Sequence, residues 1–225
     1  MYQPSIGCLR SGGRAIIKRS VKCNKLQRIL KAQPTTGETQ RQTMALGATI
    51  YKVELNIADS DRHYYASHAL TVARHPSETT ERMMVRLVAF ALNAHDDLAF
   101  TKGVSSADEP DIWLKNLTGA VDLWIEVGQP TETRLLKGCA RAKQVIVYCH
   151  NGHASKLWWD GAQKKLARAK NLKVVYLPIE PIRALANDVA RNMTLHVNIQ
   201  EQEVFISDDS RQVSLTPDVW HDSSG

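Results

Sequence analysis

The sequence predicts a mixed α/β (α+β) domain over residues 44–225, a sheet flanked by helices with an extra β-hairpin at each end. Short period-two apolar runs rich in β-branched residues alternate with longer period-3.6 runs between residue 77 and about residue 190. Most changeovers between them are marked by Pro, Gly, Asn or Asp. With 43% hydrophobic and 23% charged residues over 225 positions, the chain has the composition of one full-sized globular core.

In order, Ala48–Ile57 alternates with Ile50, Val53, Leu55 and Ile57, and Tyr64–Ala73 follows across a short polar turn as its hairpin partner. Ser77 is a good N-cap for a helix reaching about Leu92, with Glu78 and Arg82 as an i,i+4 pair and Met84, Leu87, Val88 and Ala91 as its apolar stripe. Leu98–Thr101, Asp111–Lys115 and Val121–Val127 read as strands, the last two around a turn at Asn116–Gly119. Thr131–Lys143 reads as a helix with Leu135, Cys139 and Ala142 on one face, and Val145–Cys149 as a buried central strand. A helix at Ser155–Lys170, a strand at Leu172–Leu177 stopped by Pro178, a helix at Ile182–Arg191 and a hairpin of Thr194–Gln200 with Val204–Ser207 complete the order. The tail after Pro217 is expected to be loose.

The net charge of +6 is unevenly spread. Residues 1–43 hold nine Lys and Arg against the single acid Glu38, a balance of +8, which leaves −2 for residues 44–225. The basic pI is therefore a property of the extension, and the body has no overall field that draws in polyanions. The extension lacks periodicity and an apolar core segment, so it is expected to be disordered. It reads as a basic targeting or RNA-binding arm, or as residues outside the native protein, since Met44-Ala-Leu-Gly-Ala-Thr-Ile resembles a natural start. Four cysteines without a CxxC pair exclude a disulfide framework and a zinc ribbon, and no apolar run approaches the ~18 residues of a membrane span.

The chemistry-bearing segment runs from Pro110-Asp111 to Glu126-Val-Gly128. On an extended strand Asp122, Trp124 and Glu126 share one face, and Asp111 opens the neighbouring strand where it can meet Glu126. Carboxylates on so apolar a strand need a partner, and a divalent cation is one. Two or three such carboxylates are what a Mg²⁺-dependent phosphodiesterase requires, because the metal activates a water and neutralises transition-state charge. The competing expectation is that these acids cap loops or pair with arginines. Glu81 lies at the edge of its helix's apolar stripe, with Arg74 and Arg82 as available partners. His150-Asn-Gly-His153 has a zinc-like spacing without a second ligand pair and reads as a turn, and Trp158-Trp159 reads as core.

Several segments together resemble the YaeQ family: Met44-Ala-Leu-Gly-Ala-Thr-Ile-Tyr-Lys, Ala73-Arg-His-Pro-Ser-Glu-Thr-Thr-Glu-Arg-Met-Met, Asp108-Glu-Pro-Asp-Ile-Trp, Leu123-Trp-Ile-Glu-Val-Gly-Gln-Pro, Leu157-Trp-Trp and Arg191-Asn-Met-Thr-Leu. The resemblance implies a bacterial, cytoplasmic protein with a variant PD-(D/E)XK, restriction-endonuclease-like fold. The family name itself specifies no reaction. Through the nuclease pattern it implies Mg²⁺ held by Asp111, Asp122 and Glu126, and nucleic acid as partner. Asp111 and Glu126 match the pattern, but the lysine expected two residues after Glu126 is replaced by Gly128. Lys137, on the following helix, is the candidate substitute, although it lies with Arg134 and Arg141 on a ridge opposite the apolar stripe. Two functions follow: a metal-dependent nuclease using Asp111, Glu126 and Lys137, or a catalytically inactive binding or regulatory module that keeps the fold.

Overall fold

Strict alternation builds the first hairpin. In β1 (Thr49–Asp59) Tyr51, Val53, Leu55 and Ile57 are buried while Lys52 and Glu54 face solvent. β1 pairs antiparallel with β2 (Tyr64–Arg74) over its whole length. The computed structural model describes residues 47–103, 106, 108–187 and 189–223, so the basic extension lies outside the described residues.

The next helix, α1 (Thr80–Leu92), is buried at every position from Met83 to Ala91. A one-sided amphipathic helix would not need that, but one enclosed on all sides does. Its cap is Thr79, whose Oγ1 accepts from Arg82 N, in place of the expected Ser77; Ser77 instead bonds the His75 ring. β3 (Leu98–Phe100), β4 (Ile112–Lys115) and β5 (Val121–Val127) form an antiparallel meander. α2 (Glu132–Arg141) then runs straight into β6 (Ala142–Cys149). Ala142 is already extended, so the strand begins three residues earlier than the apolar run suggests.

α3 (Gly152–Leu166), β7 (Leu172–Tyr176) and α4 (Ile179–Ala186) follow. α4 starts earlier than expected because Pro181 falls in its first turn, where a missing N–H costs nothing. β8 (Asn192–Gln200) and β9 (Glu203–Ser207) form the second hairpin, extended by the unforeseen β10 (Gln212–Leu215). The tail is not loose: β11 (Asp218–Asp222) pairs antiparallel with β7, and Trp220 stacks on Tyr176 at 4.9 Å. It covers an edge that would otherwise present unpaired backbone groups.

The strands form two sheets. One has the order β10-β9-β8-β1-β2, with the two terminal hairpins joined through the parallel pair β1/β8. The other, β11-β7-β6-β5-β4-β3, is mixed, with β5, β6 and β7 parallel. One core cluster joins α1 and α4 to the first sheet and to Ile125, Val127, Ile146 and Tyr148 of the second. Trp124, Val145, Val147 and Cys149 point to the other face, where they pack with Leu135 of α2 and Trp159 and Leu166 of α3. Burial pushes the Cys149 thiol up to about 12, as expected of an inert core cysteine. No helix among the described residues is long and apolar enough to cross a membrane.

Candidate functional site

β5 carries its side chains to two different environments. Ile125 and Val127 face α1, while Trp124 and Glu126 face α2 and α3. At its carboxyl end the chain leaves the strand at Gly128, whose φ of +96° favours glycine and whose N–H bonds Tyr148 O. This gives a local reason for the missing lysine: two residues after Glu126 the backbone is no longer a strand, and an L side chain there is strained.

Asp111 is 1% exposed. Its Oδ2 accepts from Val127 N at 2.8 Å, and Arg82 Nη2 approaches both carboxylate oxygens at 2.8 and 2.7 Å. Arg82 also donates to Glu78 Oε1 at 2.8 Å, and the other Glu78 oxygen takes Arg86 Nη2 at 2.7 Å. A buried chain of alternating charge, Arg86–Glu78–Arg82–Asp111, thus ties α1 to the start of β4. Burial opposes the charged Arg82, but Asp111 and Glu78 outweigh it and hold the guanidinium above its ordinary pKa. The buried acid here is Glu78, just before the Thr79 cap, and not Glu81 in the first turn of the helix.

Glu126 is 2% exposed, and its Oε1 accepts from Trp124 Nε1 at 2.9 Å and Arg134 Nε at 2.8 Å. Burial first, and the Asp111 charge second, push its carboxyl up to about 7 against the pull of Arg134 and Trp124. α2 reaches this side of the sheet because of Gly138: a Cβ there would stand 3.1 Å from Trp124 Nε1. Arg134 lies in the first turn of α2, where a side chain leans towards the helix start and hence towards the end of β5. Its other nitrogens donate to the carbonyls of Ser106 and Glu109.

The structure brings Asp111 and Glu126 together and separates the other two predicted residues from them. Asp122 is on the Glu126 face but four residues earlier, roughly 13 Å along the strand. There it pairs with Lys143 Nζ at 2.7 Å and Asn116 Nδ2 at 3.3 Å. Lys137 pairs with Asp108, and Arg141 donates to Asp108 O, so the ridge of α2 contacts the loop before β4. Of the ridge only Arg134 turns inward to the acids.

For a divalent cation this donor set does not fit. Among the described residues no three His, Cys, Asp or Glu side chains stand where they can share an ion. The two acids that approach each other are each already bonded to a guanidinium. Arginine pairing, the alternative visible in the sequence, is what the geometry contains. The particular partners are not legible in the sequence, because Arg134 reads as part of a basic ridge opposite the apolar stripe and Arg82 as the i,i+4 partner of Glu78 or a partner of Glu81.

Beside these pairs opens a cleft of about 790 Å³, lined by Arg82, Arg134, Gly128 and His150 together with Thr79 and Asn151, the N-caps of α1 and α3. Pro130, just before the α2 cap Thr131, lines it as well. The cleft lies at the carboxyl ends of the parallel strands β5 and β6, where open α/β sheets commonly hold ligands. His150 is 3% exposed; burial first and the Arg82 charge second lower its ring pKa to about 4, so it is neutral at pH 7.

Comparison with known proteins agrees with this architecture. The family model for the YaeQ protein matches residues 44–217. The YaeQ proteins of Salmonella typhi and Escherichia coli K12 are 43% and 42% identical over 181 residues, which are 80% of this chain and the whole of each relative. The crystal structure of YaeQ from Xanthomonas axonopodis pv. citri is similar with a TM-score of 0.75 and 46% identity, covering 77% of this chain and 98% of that one. That of Pseudomonas syringae YaeQ gives 0.76 and 37%, over 79% and 98%. The chain belongs to the YaeQ family.

Proposed function

We propose that this YaeQ-family protein is a nucleic-acid-binding module that keeps a nuclease-like framework without cleaving its ligand. The observation that carries the reading is the pairing of Asp111 with Arg82 and Glu126 with Arg134: each carboxylate that a catalytic cation needs is neutralised by a guanidinium. Displacing either arginine would leave a buried charge without its partner, a loss of roughly 3–5 kcal/mol that metal binding would have to offset. Gly128 at the lysine position supports the same reading.

Within residues 44–225, whose charge is −2, attraction for a polyanion is confined to the cleft. Binding in the cleft then involves about one or two phosphates, and for residues 44–225 alone log K against log salt falls with a slope no steeper than about −2. The test is a titration of Mg²⁺ and Mn²⁺ by calorimetry, with cleavage and retention assays on single- and double-stranded DNA and RNA. Retention without stoichiometric metal binding or cleavage is expected. Metal-dependent cleavage that disappears in Asp111→Asn and Glu126→Ala overturns the proposal in favour of a Mg²⁺-dependent phosphodiesterase.

A further inference from the structure

We propose that the cleft seats a compact phosphate dianion at the N-terminus of α3, beside Nε2 of His150, so that the preferred ligand is a phosphate monoester such as the 5′-phosphate end of a nucleic-acid strand. The inference rests on the binding reading above and names the chemistry of its ligand.

The three helices that begin at the cleft are finished differently. α1 and α2 are capped by the hydroxyls of Thr79 and Thr131, and each carries an acid in its first turn, Glu81 and Glu132. α3 has neither: its N-cap Asn151 makes no side-chain cap bond, and no acidic residue lies in its first turn. Its 15 residues leave about half a positive charge at an end whose N-cap lines the cleft. Asn151 N is bonded to Ser155 Oγ and Ala154 N to Asn151 O, so the amides of Gly152 and His153 are the ones the end offers. That is the electrostatic arrangement in which helix ends receive phosphate.

The second observation is independent of the helix. His150 lines the same cleft and is 3% exposed, yet its Nδ1 is enclosed without a hydrogen-bond partner. An enclosed lone pair costs less than an enclosed N–H, so the proton of the neutral ring belongs on Nε2. Nε2 is not among the enclosed unpartnered atoms, so it is the nitrogen His150 can present to the cleft. Arg82 and Arg134 are largely spent on Asp111 and Glu126, which leaves the helix end and this donor as the local attraction. Because the field of a helix end fades within its first turn, it favours a small, highly charged group over an extended backbone.

Fluorescence polarisation of a labelled 5′-phosphorylated pentanucleotide and its 5′-hydroxyl twin at pH 8, with inorganic phosphate as competitor, tests the proposal on the full chain. The phosphorylated strand is expected to bind about tenfold more tightly, and free phosphate to remove that advantage. Asn151→Asp supplies the absent cap as a carboxylate; it should raise the unfolding temperature, showing that the variant folds, while abolishing the preference. His150→Phe should abolish it too, whereas His150→Gln, which keeps a donor, should retain part of it. Equal binding of the two strands, or a preference that survives both Asn151→Asp and His150→Phe, overturns the phosphate seat while leaving the binding module intact. Failure of either strand to bind overturns both.

Discussion

Asp122 and Glu126 occupy the same face of the same strand, four residues apart, and live in different solvents. Asp122 keeps 30% of its side chain exposed and meets Lys143, itself 72% exposed. Glu126 keeps 3% of its side chain exposed and meets Arg134, at 22%, together with the indole N–H of Trp124. The first pair is screened by water and is worth at most about 1 kcal/mol. The second has lost its hydration, so each charge depends on the other to be tolerable at all. Strand parity sets which way an acid points, and the helices that arrive later decide what its charge costs.

The sharpest way to break this contrast is Arg134→Ala. It strands Glu126 and also removes donors from the carbonyls of Ser106 and Glu109, so a loss of about 3–5 kcal/mol is expected. In a domain of this size that corresponds to a fall in unfolding temperature of roughly 10 °C. The same change in a Glu126→Gln background should cost less than half as much. Equal costs in the two backgrounds, measured by denaturant unfolding, would show that Arg134 serves the loop and not the acid.

Much of this contrast was legible beforehand, and the part that was not has a physical reason. The limits of β5, the shared face of Asp122, Trp124 and Glu126, and the approach of Asp111 to Glu126 follow from period-two patterning and a short turn, which are local. The arginine partners come from α1 and α2, 29 residues before Asp111 and 8 after Glu126. No local pattern distinguishes an arginine that will reach an acid from one that will face water. The same applies to β11: Asp218–Asp222 has little strand signal of its own and is ordered by the open edge of β7. The change from Ser77 to Thr79 as cap is a smaller case, a choice between two neighbouring hydroxyls.

Glu126 has its carboxyl raised from the ordinary 4.5 to about 7, chiefly by burial. An acid with a raised folded pKa stabilises the fold fully below its unfolded pKa, and that contribution is lost as pH rises through the folded one. Glu126 should therefore contribute a fall between about pH 5 and pH 8, of up to roughly 3 kcal/mol. His150, its ring pKa lowered to about 4, contributes a rise that is complete by about pH 6.5, so the net fall of the wild type lies above that pH. The difference between wild type and Glu126→Gln isolates it: the falling contribution should vanish in the variant, leaving the rise from His150, and Asp122→Asn should leave it in place. A fall above about pH 6.5 that persists in Glu126→Gln would assign the effect to another group.

The smallest effect completes the comparison. Lys143→Ala removes the partner of Asp122, and Asn116 remains as a donor at 3.3 Å with water free to replace the ammonium. The expected change is below about 1 kcal/mol and should shrink further in 0.5 M salt, where exposed charges are screened within about 4–5 Å. Arg134→Ala should be far less sensitive to salt, because ions do not reach an enclosed pair. If Lys143→Ala instead cost as much as Arg134→Ala, with no dependence on salt, the two ends of β5 would not differ in solvation, and the arginine-neutralised acids would lose their claim to be a separate site.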